Sequence, residues 1–215
     1  MPDLIVIAGP NGAGKSTNAI KILQRISTEK LESFDFDKRK WDYYKQDFDH
    51  ELREQMAHTR ASQDFSNAAA AALKNKKSFC YETNFHDDNA MEWPTDFKKE
   101  GFQTILVFLA LQDVEKSIER VAIRVMDKGH NVPVHQIKER YKGSIGNVLK
   151  HYKEFDRVLI IDSNKESFEI LAEINKGKVM AINTAADKQV KEIFKPLFKD
   201  IDKGKDKGLD QGLSM

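Results

Sequence analysis

The sequence predicts an α/β fold in three layers: a central parallel sheet of about five strands with helices on both faces. Three observations predict it. Short apolar runs alternate with helix-period segments along the chain, the pattern of repeated strand–helix units. The runs Ile105-Leu106-Val107-Phe108-Leu109 and Val158-Leu159-Ile160-Ile161 are apolar at every position, as strands covered on both faces must be. The first run, Leu4 to Ala8, passes through a glycine-rich loop into a helical segment, Thr17 to Arg25.

That loop reads Gly9-Pro10-Asn11-Gly12-Ala13-Gly14-Lys15-Ser16 and satisfies the pattern GxxxxGK[ST]. Its glycines let the backbone wrap closely around an anion. The amides at the start of the next helix point their positive ends at phosphate. Gly9 through Thr17 are therefore expected to bind nucleotide, with Lys15 reaching the β- and γ-phosphates and Ser16 holding Mg²⁺.

Further strands are expected near 33–36, 78–82, 104–109 and 157–161, with a late edge strand at 179–182. Residues 38–77 exceed what a plain crossover needs. They run from an aromatic, charged stretch (Trp41, Tyr43, Tyr44, Phe48) to an alanine block at Ala68–Ala72. They read as a helical cap or as a longer surface helix pair. Val114, Ile118, Val121, Ala122 and Val125 make one stripe of a helix over 113–127, with Lys116, Arg120 and Arg124 opposite. That cationic face is either solvated or a lid over transferring phosphate. A second helix follows, striped by Val134, Ile137, Tyr141, Ile145 and Val148 and flanked by Arg140, so 113–152 reads as a lid. Residues 1–202 form one expected domain, and the lysine, aspartate and glycine mixture of 203–215 a frayed tail.

Lysine and arginine total 35 against 34 aspartates and glutamates, so nothing in the overall charge calls for nucleic acid or an anionic membrane. Cys80 is the single cysteine, which excludes an intramolecular disulfide. No stretch has the length of a membrane span or the pattern of a secretory leader. A cytoplasmic protein is expected.

The remaining chemistry sits at strand ends. Glu82 closes the third strand, where ligands bind in open α/β sheets, and could orient the metal. Asp162 closes the fifth and reads as a strand-end acid bonded to a helix start. Asp35 and Asp37 flank Phe36, with alternation placing both on one strand face. Asp37, at the exit, is either a base for an attacking hydroxyl or a helix cap. His130, alone in its turn, and His86 beside Asp87 and Asp88 give only weak metal signals.

Several of these pieces occur together in one family. Ala8–Thr17, Phe34-Asp35-Phe36-Asp37, Phe79-Cys80-Tyr81-Glu82-Thr83, Arg120–Val125, Gly129–Pro133 and Ile137–Tyr141 resemble, in order and spacing, the zeta-toxin-like P-loop kinases. The resemblance runs from residue 4 to about 164. It implies a sheet order of 2-3-1-4-5 and ATP or GTP with Mg²⁺. It implies Asp37 as the base and Glu82 near substrate and metal. Arg120, Arg124 and Arg140 would belong to the phosphate-neutralising lid. It further implies a small-molecule acceptor, a UDP-N-acetyl sugar in well-understood members, and an antitoxin partner as a family trait. Three departures surround the acceptor pocket and lid: Lys128 where a glycine is usual, Asn84 where threonine is usual, and Asp35 where asparagine is frequent. Asn84 is thereby placed with Asp37, Glu82 and Arg140 on the acceptor side.

The expected activity is γ-phosphoryl transfer to a small-molecule hydroxyl, with Lys15, Asp37, Arg120 and Arg124 carrying it. Two rivals stand beside it: a kinase for a nucleoside, sugar or coenzyme precursor, and a nucleotide-dependent switch or ABC-type ATPase working through a protein partner. The Leu-Ser-Gly-Gly-Gln signature of ABC proteins is missing from the sequence.

Overall fold

The computed structural model describes residues 1–46, 52–127, 129, 131–164, 169–183 and 187–198. The expectations for Lys128, His130 and the 203–215 tail fall outside the described residues. The strands are β1 (Asp3–Ala8), β2 (Ser33–Asp35), β3 (Phe79–Thr83), β4 (Gln103–Ala110), β5 (Arg157–Asp162), β6 (Glu169–Asn175) and β7 (Lys178–Ile182). The α-helices are α1 (Lys15–Ile26), α2 (Phe36–Gln46), α3 (Arg53–Asn75), α4 (Glu92–Lys99), α5 (Val114–Met126), α6 (Val134–His151) and α7 (Lys188–Phe198).

The sheet has the order β2-β3-β1-β4-β5-β6-β7. Its first five strands are parallel, in the order 2-3-1-4-5. The expected count of about five is corrected to seven, because β6 and β7 extend the sheet antiparallel from β5. The segment 179–182 is that edge; β6 carried no prediction. Its alternating burial mixes Glu169 and Glu173 with Leu171, Ala172 and Ile174, a weaker signal than the all-apolar central runs. The hairpin signal was present in Lys176-Gly177, both at positive φ (48° and 73°), as a two-residue turn of mirror type requires.

The all-apolar runs become strands with two buried faces. Leu4, Val6, Leu106, Phe108, Val158 and Ile160 point into one core, where α3, α4 and α7 supply Ala69, Phe97 and Phe194. Ile5, Ile7, Ile105, Val107, Leu109 and Leu159 point into the other, closed by Ala19, Ile22 and Leu23 of α1. This is the expected three-layer sandwich. Because Leu4 to Ala8 of β1 are fully buried between β3 and β4, the strand's carboxyl end delivers the glycine loop to the rim of the sheet's middle.

The helical excess between β2 and β3 is α2 and α3. No residue of α2 is buried, and the buried residues of α3 are alanines. Polar ties join the pair instead: Tyr43 donates to Asp64 at 2.8 Å, Arg39 lies 3.3 Å from the same carboxylate, and Lys40 pairs with Glu54.

Candidate functional site

The glycine loop is built by backbone that other residues resist. Gly9 has φ +148°, and a Cβ there would lie 2.6 Å from the Leu109 carbonyl oxygen. Gly14, in the left-handed region at φ 80°, caps α1 without a side chain. Ala13 is buried and its amide donates to the Pro10 carbonyl at 3.2 Å. The loop thus closes on itself, and Gly12, Gly14, Lys15, Ser16 and Thr17 line one large cleft of about 1420 Å³. Gly9, Pro10 and Ala13 support it from behind.

Lys15 folds back across its own loop. Its amine donates to the carbonyls of Gly9 (2.8 Å) and Pro10 (3.2 Å) and to Asn84 Oδ1 (3.0 Å). Burial pulls this amine below its ordinary value, opposed by the nearby Asp37, Glu82 and Asp35 carboxylates.

The Ser16 hydroxyl stands between two carboxylates, 2.6 Å from Asp35 Oδ2 and 2.7 Å from Glu82 Oε2. One hydroxyl carries one hydrogen, so it cannot donate to both. Glu82 is nearly buried and is held above its ordinary value by desolvation first, then by Asp35. Two carboxylates crowded on one hydroxyl make a donor set deficient in cations. Hard oxygens of this kind suit Mg²⁺, which takes one or two carboxylates and completes its shell with water and phosphate.

The structure corrects the reading of Asp35 and Asp37 as neighbours on one strand face. β2 ends at Asp35 and α2 begins at Phe36, so Asp37 lies in the helix's first turn. Asp35 is also the cap: its Oδ1 accepts the Lys38 amide at 2.9 Å. The capping alternative for Asp37 therefore falls to its neighbour, and Asp37 is left lining the cleft.

Helix α5 brings its arginines to the loop. Asp113 caps it by accepting the Lys116 amide at 2.7 Å. Lys116 itself pairs with Glu119 on the surface, while Arg120 and Arg124 turn into the cleft. Arg120 donates to the Gly12 carbonyl (3.3 Å) and the Asn164 carbonyl (3.1 Å). Arg124 has two buried nitrogens, Nε and Nη2, with no acceptor, and its charge is felt at Lys15. The predicted apolar stripe of α5 shifts: Val125 is 37% exposed, whereas Ser117 is fully buried. Its hydroxyl donates to the Asn11 carbonyl at 2.5 Å, clamping the loop to α5. A polar residue inside the apolar stripe was the signal for it.

Three further features surround the site, of which only His58, Phe65 and Trp93 carried no expectation; Asp162 bonds a helix start, as its place at a strand end suggested. The buried Asp162 accepts from the Asn164 amide (3.0 Å), the Asn164 side chain (2.6 Å) and the Asp187 amide (3.2 Å). It thus holds the residue whose carbonyl receives Arg120. His58, Phe65 and Trp93 join Trp41, Phe36 and Tyr81 along the cleft's far end. Phe65 meets Tyr81 and Trp93 edge-on at 5.2 and 5.5 Å. Arg140 also lines the cleft. Of the His86, Asp87 and Asp88 trio, Asp88 turns away to Lys150 and His151.

Comparison with known proteins fits this geometry. A family model described as Zeta toxin matches residues 1–174. The AvrRxo1-ORF1:AvrRxo1-ORF2 structure with sulphate ions is similar at TM-score 0.65 and 13% identity, covering 86% of this chain and 62% of that one. This chain therefore spans under two thirds of the AvrRxo1 chain it matches. The same complex has also been solved with ATP. The PezAT chromosomal toxin–antitoxin system of Streptococcus pneumoniae matches at TM-score 0.64 and 15% identity, over 94% of this chain and 86% of that one. A putative kinase from Chloroflexus aurantiacus matches at 0.51 and 20%, over 66% and 80%. Comparison with curated proteins gives no match. At these identities the shared property is the fold. No helix among the described residues is long and apolar enough to cross a membrane.

Proposed function

The chain belongs to the zeta toxin family, and from that premise we propose that it transfers the γ-phosphoryl group of ATP or GTP to a hydroxyl of a small molecule. One observation carries the reading. Arg124, two of whose side-chain nitrogens are buried without an acceptor, lines the same cleft as Lys15 and the first residues of helix α1. Buried guanidinium N–H groups are costly when unsatisfied. A polyphosphate is the ligand that would satisfy them, and arginine's fork is matched to its oxygens.

The roles follow from position. Gly12, Gly14, Ser16 and Thr17 line the phosphate cradle, and Lys15 and Arg124 offset charge on the transferring group. Arg120, tied to the loop at Gly12, keeps the α5 helix in register with it. Ser16, Glu82 and Asp35 would hold Mg²⁺, which when bound would draw off charge from the phosphate oxygens. Asp37 would accept the proton of the attacking hydroxyl. That oxygen then bonds to the γ-phosphorus as the bond to the β–γ bridging oxygen breaks, leaving the nucleoside diphosphate. Positioning and electrostatics supply most of the rate, since the transition state asks little covalent chemistry of the protein.

The acceptor would enter beside Asp37, between Arg140, Asn84 and the aromatic end of the cleft. A UDP-N-acetyl sugar suits this site, with a ring for the aromatic side chains and a diphosphate for Arg140. An antitoxin partner, like that of the PezAT system, belongs to the same proposal. The test is to incubate a metabolite extract with protein, Mg²⁺ and ATP and search by mass spectrometry for a new phosphate mass. A phosphorylated UDP-sugar is expected, and Lys15→Ala should abolish it. A phosphorylated nucleoside instead would replace the acceptor; hydrolysis alone, whatever the extract, would replace the kinase reading with a switch.

A further inference from the structure

Lys15 has three N–H groups, and all three are spent inside the protein. Two go to carbonyls of its own loop, Gly9 and Pro10. The third goes across the cleft to Asn84 Oδ1 at 3.0 Å. The amine that a P-loop offers to phosphate is therefore already engaged. A phosphate oxygen must displace one of these acceptors.

The three acceptors are not equally replaceable. The Gly9 and Pro10 carbonyls are fixed, because the loop is held by the left-handed glycines, by Ala13 bonding to Pro10, and by Ser117 bonding to Asn11. Asn84 is a side chain free to rotate away. It sits one residue past the end of β3, and Phe85 beyond it has φ +52° while its amide donates to Thr83 Oγ1 at 3.0 Å. That turn fixes the backbone from which Asn84 reaches Lys15.

We propose that Asn84 is a positioning residue that latches Lys15, so that nucleotide gains the lysine only by displacing the Asn84 side chain. The latch lowers nucleotide affinity and joins the β3 exit to the phosphate site. This rests on the kinase reading above. It assigns Asn84 a task toward Lys15, distinct from contact with the acceptor. Asparagine can span to the amine and then rotate away, whereas a shorter side chain at 84 could not close the gap.

A contact that nucleotide must displace gives an effect of unusual sign. Removing a bonding partner of the P-loop lysine should tighten nucleotide binding. By calorimetric titration with Mg²⁺ and a non-hydrolysable ATP analogue, Asn84→Ala is expected to bind about two- to tenfold more tightly than the parent, the scale of one hydrogen bond exchanged with water. Asn84→Ser, too short to reach, should give the same gain. Both empty variants should melt slightly below the parent, and the gap should close at saturating analogue. If the parent binds the analogue and both variants bind it equally or more weakly, the latch is overturned and the kinase reading survives. If neither parent nor variants bind it, both fall. If both variants fail to fold, Asn84 is structural and the latch is overturned.

Discussion

The two ends of the cleft are built from different materials. At the glycine loop nearly every polar group has a partner: Lys15 has three acceptors, Ser16 touches two carboxylates, Arg120 bonds two carbonyls, and Ser117 clamps Asn11. Among the described residues there, Arg124 and the buried Oδ1 of Asn11 are exceptions. At the cap end the walls are rings, Phe36, Trp41, Phe65, Tyr81 and Trp93, carried partly on a helix, α2, that buries no residue. The first end is a rigid cradle whose specificity comes from backbone and charge. The second presents shape and apolar area on a weakly anchored support. In the proposed reading, the first end takes the nucleotide common to many enzymes and the second the acceptor particular to this one.

Substitutions at each end can break or sharpen that contrast. The largest effect is expected from Arg124→Ala. It removes the cation proposed to face the transferring group and should lower turnover on the order of a thousandfold, as loss of an arginine finger does. A drop of only a fewfold in kcat would mean that the orphaned guanidinium is not aimed at phosphate. Next, Asp37→Asn should cut turnover by about a hundred- to ten-thousandfold, the range of general base catalysis, while leaving affinity for an ATP analogue intact. Transfer at the parent rate would leave Asp37 with no chemical task.

A third substitution tests the cradle without touching charge. Gly9→Ala would force a Cβ to 2.6 Å from the Leu109 oxygen at φ +148°. It should cost roughly 1–3 kcal/mol of stability, read by denaturant titration, and weaken nucleotide binding. The mildest effect concerns pH. Glu82 is held above its ordinary value by burial and by Asp35. The unfolded chain therefore ionises it more readily than the folded one. This group's contribution is complete below the ordinary value and is lost as pH rises through the raised one. Without Mg²⁺, the melting temperature of Glu82→Gln should exceed the parent's most at neutral pH, with the difference shrinking in acid. With Mg²⁺ and nucleotide the order should reverse, because the metal needs the ionised carboxylate. An unchanged melting difference from pH 4 to 8 would contradict the assignment.

The legibility of the two ends in the sequence follows the same division. The loop was readable because its geometry is dictated locally: glycines at fixed spacing, a strand before and a helix after. The five parallel strands were readable because burial on both faces leaves uninterrupted apolar runs. Asp35 was harder, since one residue's difference in where β2 ends decides whether Asp35 or Asp37 caps α2. Amphipathicity placed Arg124 on the polar side of α5 but left open whether that side is solvated or turned to a ligand; tertiary packing lines the cleft with Arg124 and buries two of its nitrogens. His58, Phe65 and Trp93 come from two helices far apart in sequence, α3 and α4, and no local period brings them to one pocket.

The amino-acid order alone determined the α/β layering, the runs that become the central parallel strands, and the glycine loop between β1 and α1. Each depends on contacts within a few residues or on a repeating apolar pattern. Tertiary structure decided the rest. It set Asp35 and Glu82 against one serine hydroxyl, brought two arginines to the cleft and locked Lys15 to Asn84, 69 positions away. Those outcomes depend on which side chains meet across the carboxyl edge of the sheet. Chain crossings fix such meetings, and spacing along the sequence does not encode them.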